Sequence, residues 1–159
     1  MKSIYSQLDE IAKRANGDME EVAAASMLRL GNRIVQGSPV DTGRFKNNWM
    51  SAYGSLDPST PRADNPSGAG SVTDLSVKVN DVQIGGADFF FTNSLPYAYR
   101  LETGWSDQAS QGVVAVNALS WEKIVTEEVR KRFRPPAWTR FDNRRCRKPA
   151  KFRQERRQP

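Results

Sequence analysis

With 159 residues the chain can bury a core as one domain without metal or disulfide staples, and its single cysteine, Cys146, excludes an intrachain disulfide and a thiolate zinc site. It has no histidine, which removes the commonest general base, the commonest metal ligand and every Ser-His or Cys-His pairing, so neither a metal nor a cofactor is expected. The net charge of +6 hides an asymmetry: Arg130 to Pro159 carries 13 Lys or Arg against 2 acidic residues, leaving 11 basic and 16 acidic residues in 1–129.

No apolar run is long enough to span a bilayer, so no membrane partner is expected. The opening Met-Lys-Ser-Ile-Tyr-Ser lacks the apolar stretch and cleavage site of a signal peptide, and folding in a cytosol is the expectation. From Ser6 to Gln36 the pattern is helical. Leu8, Ile11, Ala12 and Ala15 share one face, and Met19, Val22, Ala23, Ser26, Met27, Leu30 and Ile34 repeat at steps of three and four. Gly17 costs a helix about 1 kcal/mol relative to alanine, and Asp18 followed by Glu21 resembles a capping box, so one long helix and two shorter ones both fit.

Gly37-Ser38-Pro39 ends this segment, and in Val40-Asp41-Thr42-Gly43-Arg44 a side chain of Asp41 or Thr42 can bond the backbone two or three residues on. Phe45 to Tyr53 reads as a strand with Trp49, Ser51 and Tyr53 on one side, although Phe45 and Trp49 also fit helical spacing. Residues 55–71 hold three prolines and no apolar periodicity, predicting a long surface loop. Residues 72–84 fit either period: Val77, Val79, Val82 and Ile84 alternate, whereas Leu75, Val79 and Val82 share a helical face. The alternation favours a strand. Gly85-Gly86 turns the chain into a strand over 87–93, whose Phe89-Phe90-Phe91 run predicts cover on both faces.

The stretch from Phe89 to Gly112 concentrates aromatics and turn residues. Asn93-Ser94-Leu95-Pro96 should close the strand, a short helix should run from Pro96 to Glu102, and Gly104 should end it in the left-handed conformation. Residues 113–133 return to helical spacing through Val114, Ala118, Trp121, Val125 and Val129, until Pro135-Pro136 stops them. The chain therefore reads as an α+β domain over 1–134: a long N-terminal helix and a C-terminal helix packed on a small, mainly antiparallel sheet, with a long surface loop. A basic arm, 135–159, has too little apolar content to fold alone and is expected to be extended.

Two signatures stand out. The first is Ser38-Pro39-Val40-Asp41-Thr42-Gly43-Arg44 with Trp49 downstream. The second is Pro96-Tyr97-Ala98-Tyr99-Arg100-Leu101-Glu102-Thr103-Gly104-Trp105, followed by Ser106, Gln108-Ala109 and Gln111-Gly112-Val113. In this order, after an N-terminal helix, they resemble the tail-completion, or head–tail joining, proteins of long-tailed bacteriophages. Those families carry a Pro-Val-Asp-Thr-Gly-Arg turn and a Pro-Tyr-Ala, Leu-Glu-x-Gly, Ser-x-Gln-Ala-Pro-x-Gly run. The resemblance covers roughly residues 5–130 in layout. It departs at Ser110, where the family usually has proline, and at Trp105, where a small or polar residue is common; neither is a turn-forming glycine. The basic arm lies outside it.

The resemblance implies a virion structural protein of the neck and tail, assembled in the host bacterial cytoplasm. It implies a homo-oligomeric ring, a hexamer by the sixfold symmetry of such necks, that completes the tail and joins it to the DNA-filled head. Its partners would be further copies of itself, the tail terminator or tail tube protein, and the head connector or adaptor. Pro39, Asp41, Thr42, Gly43, Arg44, Trp49, Pro96, Tyr97, Glu102, Gly104, Trp105, Gln108 and Gly112 would then carry subunit or partner contacts. The same residues also serve as two well-formed turns that fix the fold, and both uses can hold together. Helical spacing points Glu102 toward the neighbourhood of Arg100 or toward the Asp41 turn, and a Glu102 pair with Arg44, if exposed, would contribute no more than about 1 kcal/mol.

As an enzyme, the chain could place Asp41, Glu102 and Asp107 in a cleft as an acid and base pair, but no flanking pattern of a glycosidase supports it, and no catalytic residue is assigned. Gly68-Ala69-Gly70 and Gly85-Gly86 lack the lysine and the strand-to-helix context of a phosphate loop. The arm, with Arg140, Arg144, Arg145, Arg147, Lys148, Lys151 and Arg153 beside Trp138, Phe141 and Phe152, has the composition of a phosphate-binding, base-stacking segment. It suits either packaged DNA or the acidic body of a neighbouring copy, and a DNA-binding accessory protein is the alternative function.

Overall fold

The computed structural model describes residues 3–134. The expected α+β architecture is present: a long N-terminal helix, a C-terminal helix and a small two-stranded antiparallel sheet. The basic arm, with Arg140, Arg144, Arg145, Arg147, Lys148, Lys151 and Arg153, lies outside the described residues.

Helix α1 spans Ile4–Gly37 without a break. Ser3 caps it, its hydroxyl accepting from the Tyr5 N–H at 3.3 Å. Gly17 does not interrupt it, because the long helical run on either side carries the modest cost of one glycine, and a Cβ there would meet nothing within 4 Å. At Gly31 α1 and the next long helix nearly touch: a Cβ would sit 2.3 Å from a Leu75 methyl.

Arg44–Asn47 forms one helical turn, α2, and only Met50–Tyr53 is strand β1, which corrects the strand expected over 45–53. The turn wins there because the Asn47 and Asn48 N–H groups close back onto Gly43 and Phe45 carbonyls. The loop is confined to 54–68, and Ala69–Lys78 is helix α3, continued by a short 3-10 turn at Val79–Asp81. The strand expected over 72–84 is thus wrong. The helical face of Ser71, Leu75 and Val79 is what the core buries, while Val77 and Ile84 of the alternating set stay exposed.

Strand β2, Phe89–Thr92, pairs antiparallel with β1, with Met50 opposite Thr92 and Tyr53 opposite Phe89. Two strands cannot cover both faces, and Phe89, Phe90 and Phe91 remain half-buried. Helix α4 follows at Ala98–Glu102, and a 3-10 turn at Asp107–Ala109. The single helix expected over 113–133 is two, α5 at Val114–Ala118 and α6 at Trp121–Arg132. Asn117 and Ser120 cause the break: their side chains bond the Val113 and Asn117 carbonyls and compete with the helical ladder. The buried residues are accordingly Val113 and Ile124, and Val114, Trp121 and Val129 of the expected face are exposed.

Helices α5 and α6 run antiparallel to α1. Arg33 donates to Asn117, Arg29 bridges Glu127 at 2.6 Å and Glu128 at 3.1 Å, and Arg132 donates to Asp18 at 3.0 Å and bridges Glu21 at 2.9 Å. The core gathers Ile34 and Val35 of α1, Phe45, Trp49, Leu95, Ala109 and Val113, with Leu30, Val72, Phe91, Ala98 and Leu101 packed around them.

Candidate functional site

The two sequence signatures meet. Gln108 reaches back 68 residues and clasps Val40 with both ends of its amide: the Val40 N–H donates to Oε1 at 2.9 Å, and Nε2 donates to the Val40 carbonyl at 3.0 Å. This imitates a pair of sheet hydrogen bonds and locks the 38–44 turn to the 106–112 loop. Between them lies a cleft of about 240 Å³, lined chiefly by Asp41, Thr42, Arg44, Tyr97, Ser106 and Gln108.

Each wall follows from local chemistry. Gly43 has φ 89°, and a Cβ there would lie 2.3 Å from the Asn65–Pro66 backbone, so only glycine allows the turn to pass under the loop. The Thr42 hydroxyl accepts from the Arg44 N–H at 3.4 Å, the expected side-chain-to-backbone turn. Gly104, φ 89°, ends α4 in the left-handed conformation as expected, and a Cβ would meet the Ser110 carbonyl oxygen at 2.4 Å. Gly112 packs under Glu102, where a Cβ would lie 2.4 Å from its carbonyl oxygen. Ser106 accepts from the Gln108 N–H at 3.3 Å and starts the 3-10 turn.

Glu102 is not paired with Arg44, nor turned to the Asp41 loop. Its carboxylate accepts from three successive backbone N–H groups, Val113 at 2.8 Å, Val114 at 2.9 Å and Ala115 at 2.8 Å, which are the unsatisfied donors at the start of α5. Burial pushes this carboxyl up, but the three N–H donors outweigh it and hold Glu102 below the ordinary glutamate value. A carboxylate held ionised in this way is the opposite of the raised-pKa acid that a glycosidase pair needs. Among the described residues no group of three or more acidic, Cys or His side chains could hold a metal ion.

Trp49 is 4% exposed and belongs to the core beneath the site. Its Nε1–H donates to the Ser38 hydroxyl at 2.9 Å, and its ring stacks on Phe91 at 5.2 Å and meets Phe45 edge-on at 5.6 Å. Phe45 in turn lies 6.3 Å from Tyr97, so a column of rings ties the first signature to the second through the core. Burial pushes the Tyr97 phenol up, Arg44 pulls it back, and Asp64 and Asp41 add to the rise. Pro39 is buried with Gly43, whereas Asp41, Thr42, Arg44, Pro96, Tyr97, Trp105 and Gln108 face solvent. Trp105 is 77% exposed, with the Arg100 guanidinium 5.7 Å above its ring.

The residues that hold the site's other side carry little signal in the sequence. Asn48, fully buried, donates to the Arg44 and Arg62 carbonyls and accepts from the Arg62 N–H. Asn47 donates to the Ala63 carbonyl and accepts from the Gly70 N–H. The Arg62 guanidinium donates to the Trp49 carbonyl at 2.6 Å and bridges Asp74, which itself accepts from the Ser51 N–H at 2.7 Å. These side chains pin the 54–68 loop across the back of the Gly43 turn. The adjacent Asn47-Asn48 pair before Trp49 is the only hint of this in the chain order.

Compared with protein-family models, curated proteins and solved structures, the chain matches none. No helix among the described residues is long and apolar enough to cross a membrane.

Proposed function

We propose that the chain is a structural protein of the bacteriophage neck, acting by fit and not by catalysis: a sixfold homo-oligomeric ring that completes the tail and joins it to the filled head. The observation that carries this reading is the junction of the two family-like signatures. They meet around one cleft, their turn residues are consumed by backbone geometry, and what they leave facing solvent includes Asp41, Arg44, Tyr97, Tyr99, Arg100 and Trp105. Exposed tyrosine, tryptophan and arginine are the side chains that dominate protein contacts: the two aromatics cover a large area at low entropic cost, and arginine brings a planar fork of hydrogen-bond donors. The carboxylate most deeply set in the signature, Glu102, serves as a helix cap, which favours architecture over proton transfer.

In this reading the ring contacts the tail terminator or tail tube on one side and the head connector or adaptor on the other. A ring of identical copies needs heterologous faces, and the acidic residues of 1–129 beside the basic residues of 130–159 supply opposite charges for them. The test is electron microscopy of progeny made without the chain. Full heads beside finished, unattached tails are expected. Infectious particles of normal appearance would overturn the proposal.

The charge asymmetry also favours a second reading, in which the basic segment binds packaged DNA. Duplex binding that falls log-linearly with salt and vanishes on deletion of 137–159 would support it. Loss of assembly on the same deletion, with no DNA binding by the intact chain, would assign the segment to a neighbouring copy.

A further inference from the structure

The first turns of α1 stand outside the body. Every residue from 4 to 16 is exposed, and Ile4, Leu8 and Ile11, at steps of four and three, leave 74%, 57% and 64% of their surfaces in water. Their line continues through Ala15 to Val22, where α6 ends against Asp18 and Glu21. An isolated helix of this length is marginal in water, and an apolar stripe along it calls for cover.

The cover has a counterpart on the other half of the same helix. A groove of about 360 Å³ runs between α1 and the open face of the sheet, lined mainly by Met27, Leu30, Ile34, Phe89, Phe91 and Trp121. Stripe and groove cannot meet within one chain, since α1 is unbroken and Leu8 and Leu30 lie about 33 Å apart along it at 1.5 Å per residue. Between two chains they can. The rim of the stripe carries a compensated pair, Lys13 to Asp9 at 2.8 Å. Covering the stripe and the groove together would remove on the order of several hundred Å² from water, the small end of the range for contacts between proteins.

We infer that α1 of one copy seats Ile4, Leu8 and Ile11 in the Met27 to Trp121 groove of the next, head to tail. The contact is heterologous, one face fitting a different face, and therefore propagates from copy to copy, closing into a ring where the rotation per copy divides a full turn. It rests on the ring proposed above and specifies which surfaces join.

Three full-length proteins test it by native mass: the wild type, Leu8→Glu, which spoils the stripe, and Met27→Glu, which spoils the groove. The wild type should be a multimer and each variant alone a monomer. An equimolar mixture should stop at two copies, because one intact stripe meets one intact groove and nothing further can add. Should Met27→Glu not fold, Leu8→Cys with Met27→Cys in a Cys146→Ser background gives the same information. Those two thiols sit about 28 Å apart within one helix, so oxidation can link only separate copies, and a ladder of disulfide multimers is expected.

A Leu8→Glu protein with the wild-type mass overturns the contact while leaving the ring proposal standing. So do disulfide products that end at dimers, which mean stripe against stripe, and a stripe uncovered only by deleting 135–159, which means cover by the same chain. A wild type that stays monomeric overturns the contact too, whereas the neck proposal itself fails only if infectious particles form without the chain.

Discussion

The loop over 54–68 and the first turns of α1 contrast sharply. The loop has no repeating backbone pattern, yet Asn47, Asn48 and Arg62 tie it into the body through buried or half-buried polar contacts. The start of α1 is perfectly regular, yet nothing in 4–16 is even half-buried. Regular hydrogen bonding and tertiary support are separate properties. The loop is held by contacts within the chain, whereas the helix end, by the inference above, takes its support from outside.

The comparison can be pressed with substitutions. Trp49→Ala removes the ring at the centre of the Tyr97, Phe45 and Phe91 column and the bond to Ser38, and should cost about 3–5 kcal/mol in chemical denaturation. Asn48→Ala leaves the Arg44 and Arg62 carbonyls and the Arg62 N–H without their partner, at about 2–3 kcal/mol, with protease cleavage appearing first inside 54–68.

Glu102→Gln replaces two charged acceptor oxygens by one neutral oxygen and should cost about 1–2 kcal/mol at neutral pH. Its pH dependence has a definite sign. The folded pKa lies below the unfolded value, so the stabilisation is complete above the unfolded pKa and is lost as pH falls through the folded one. The wild type should therefore lose part of its advantage over Glu102→Gln in acid, measured by urea unfolding across pH. Leu8→Ser comes last: in a dilute, monomeric sample it should move stability by no more than about 0.5 kcal/mol, because Leu8 is 57% exposed on the helix surface. A loss as large as that of Asn48→Ala would show that the helix end is supported from within.

Legibility in the sequence followed the range of the deciding interactions. Helix α1, the helix before Gly104 and the left-handed glycine itself depend on neighbours three or four residues away, and the pattern shows them; the strand Phe89–Thr92 shows through its own apolar run, although its hydrogen-bond partner is the distant β1. Helix α3 escaped because both periods were present in 72–84, and the choice was made by Leu75 docking on Gly31 of α1, forty-four residues earlier. The turn at Arg44–Asn47 escaped although its backbone bonds are local, because the alternation from Trp49 onward can be continued back over it and the side chains of Asn47 and Asn48 that pin it bond to Arg62, Ala63 and Gly70. At the site, the two signatures and their glycines were visible as turns. That Gln108 would clasp Val40, or that Glu102 would cap α5 in place of meeting Arg44, was not, since both require knowing which loop returns to which.

The most direct measurement is complementation by a variant that alters only the solvent-facing part of the junction. Trp105 is 77% exposed and Arg100 is exposed beside it, so Arg100→Ala with Trp105→Ala should leave the fold largely intact, as judged by circular dichroism and a cooperative melt. Supplied in place of the wild type, this protein should lower the infectious titre at least tenfold and leave full heads beside free tails. A folded double variant that supports normal titre would contradict the claim that this face works by contact.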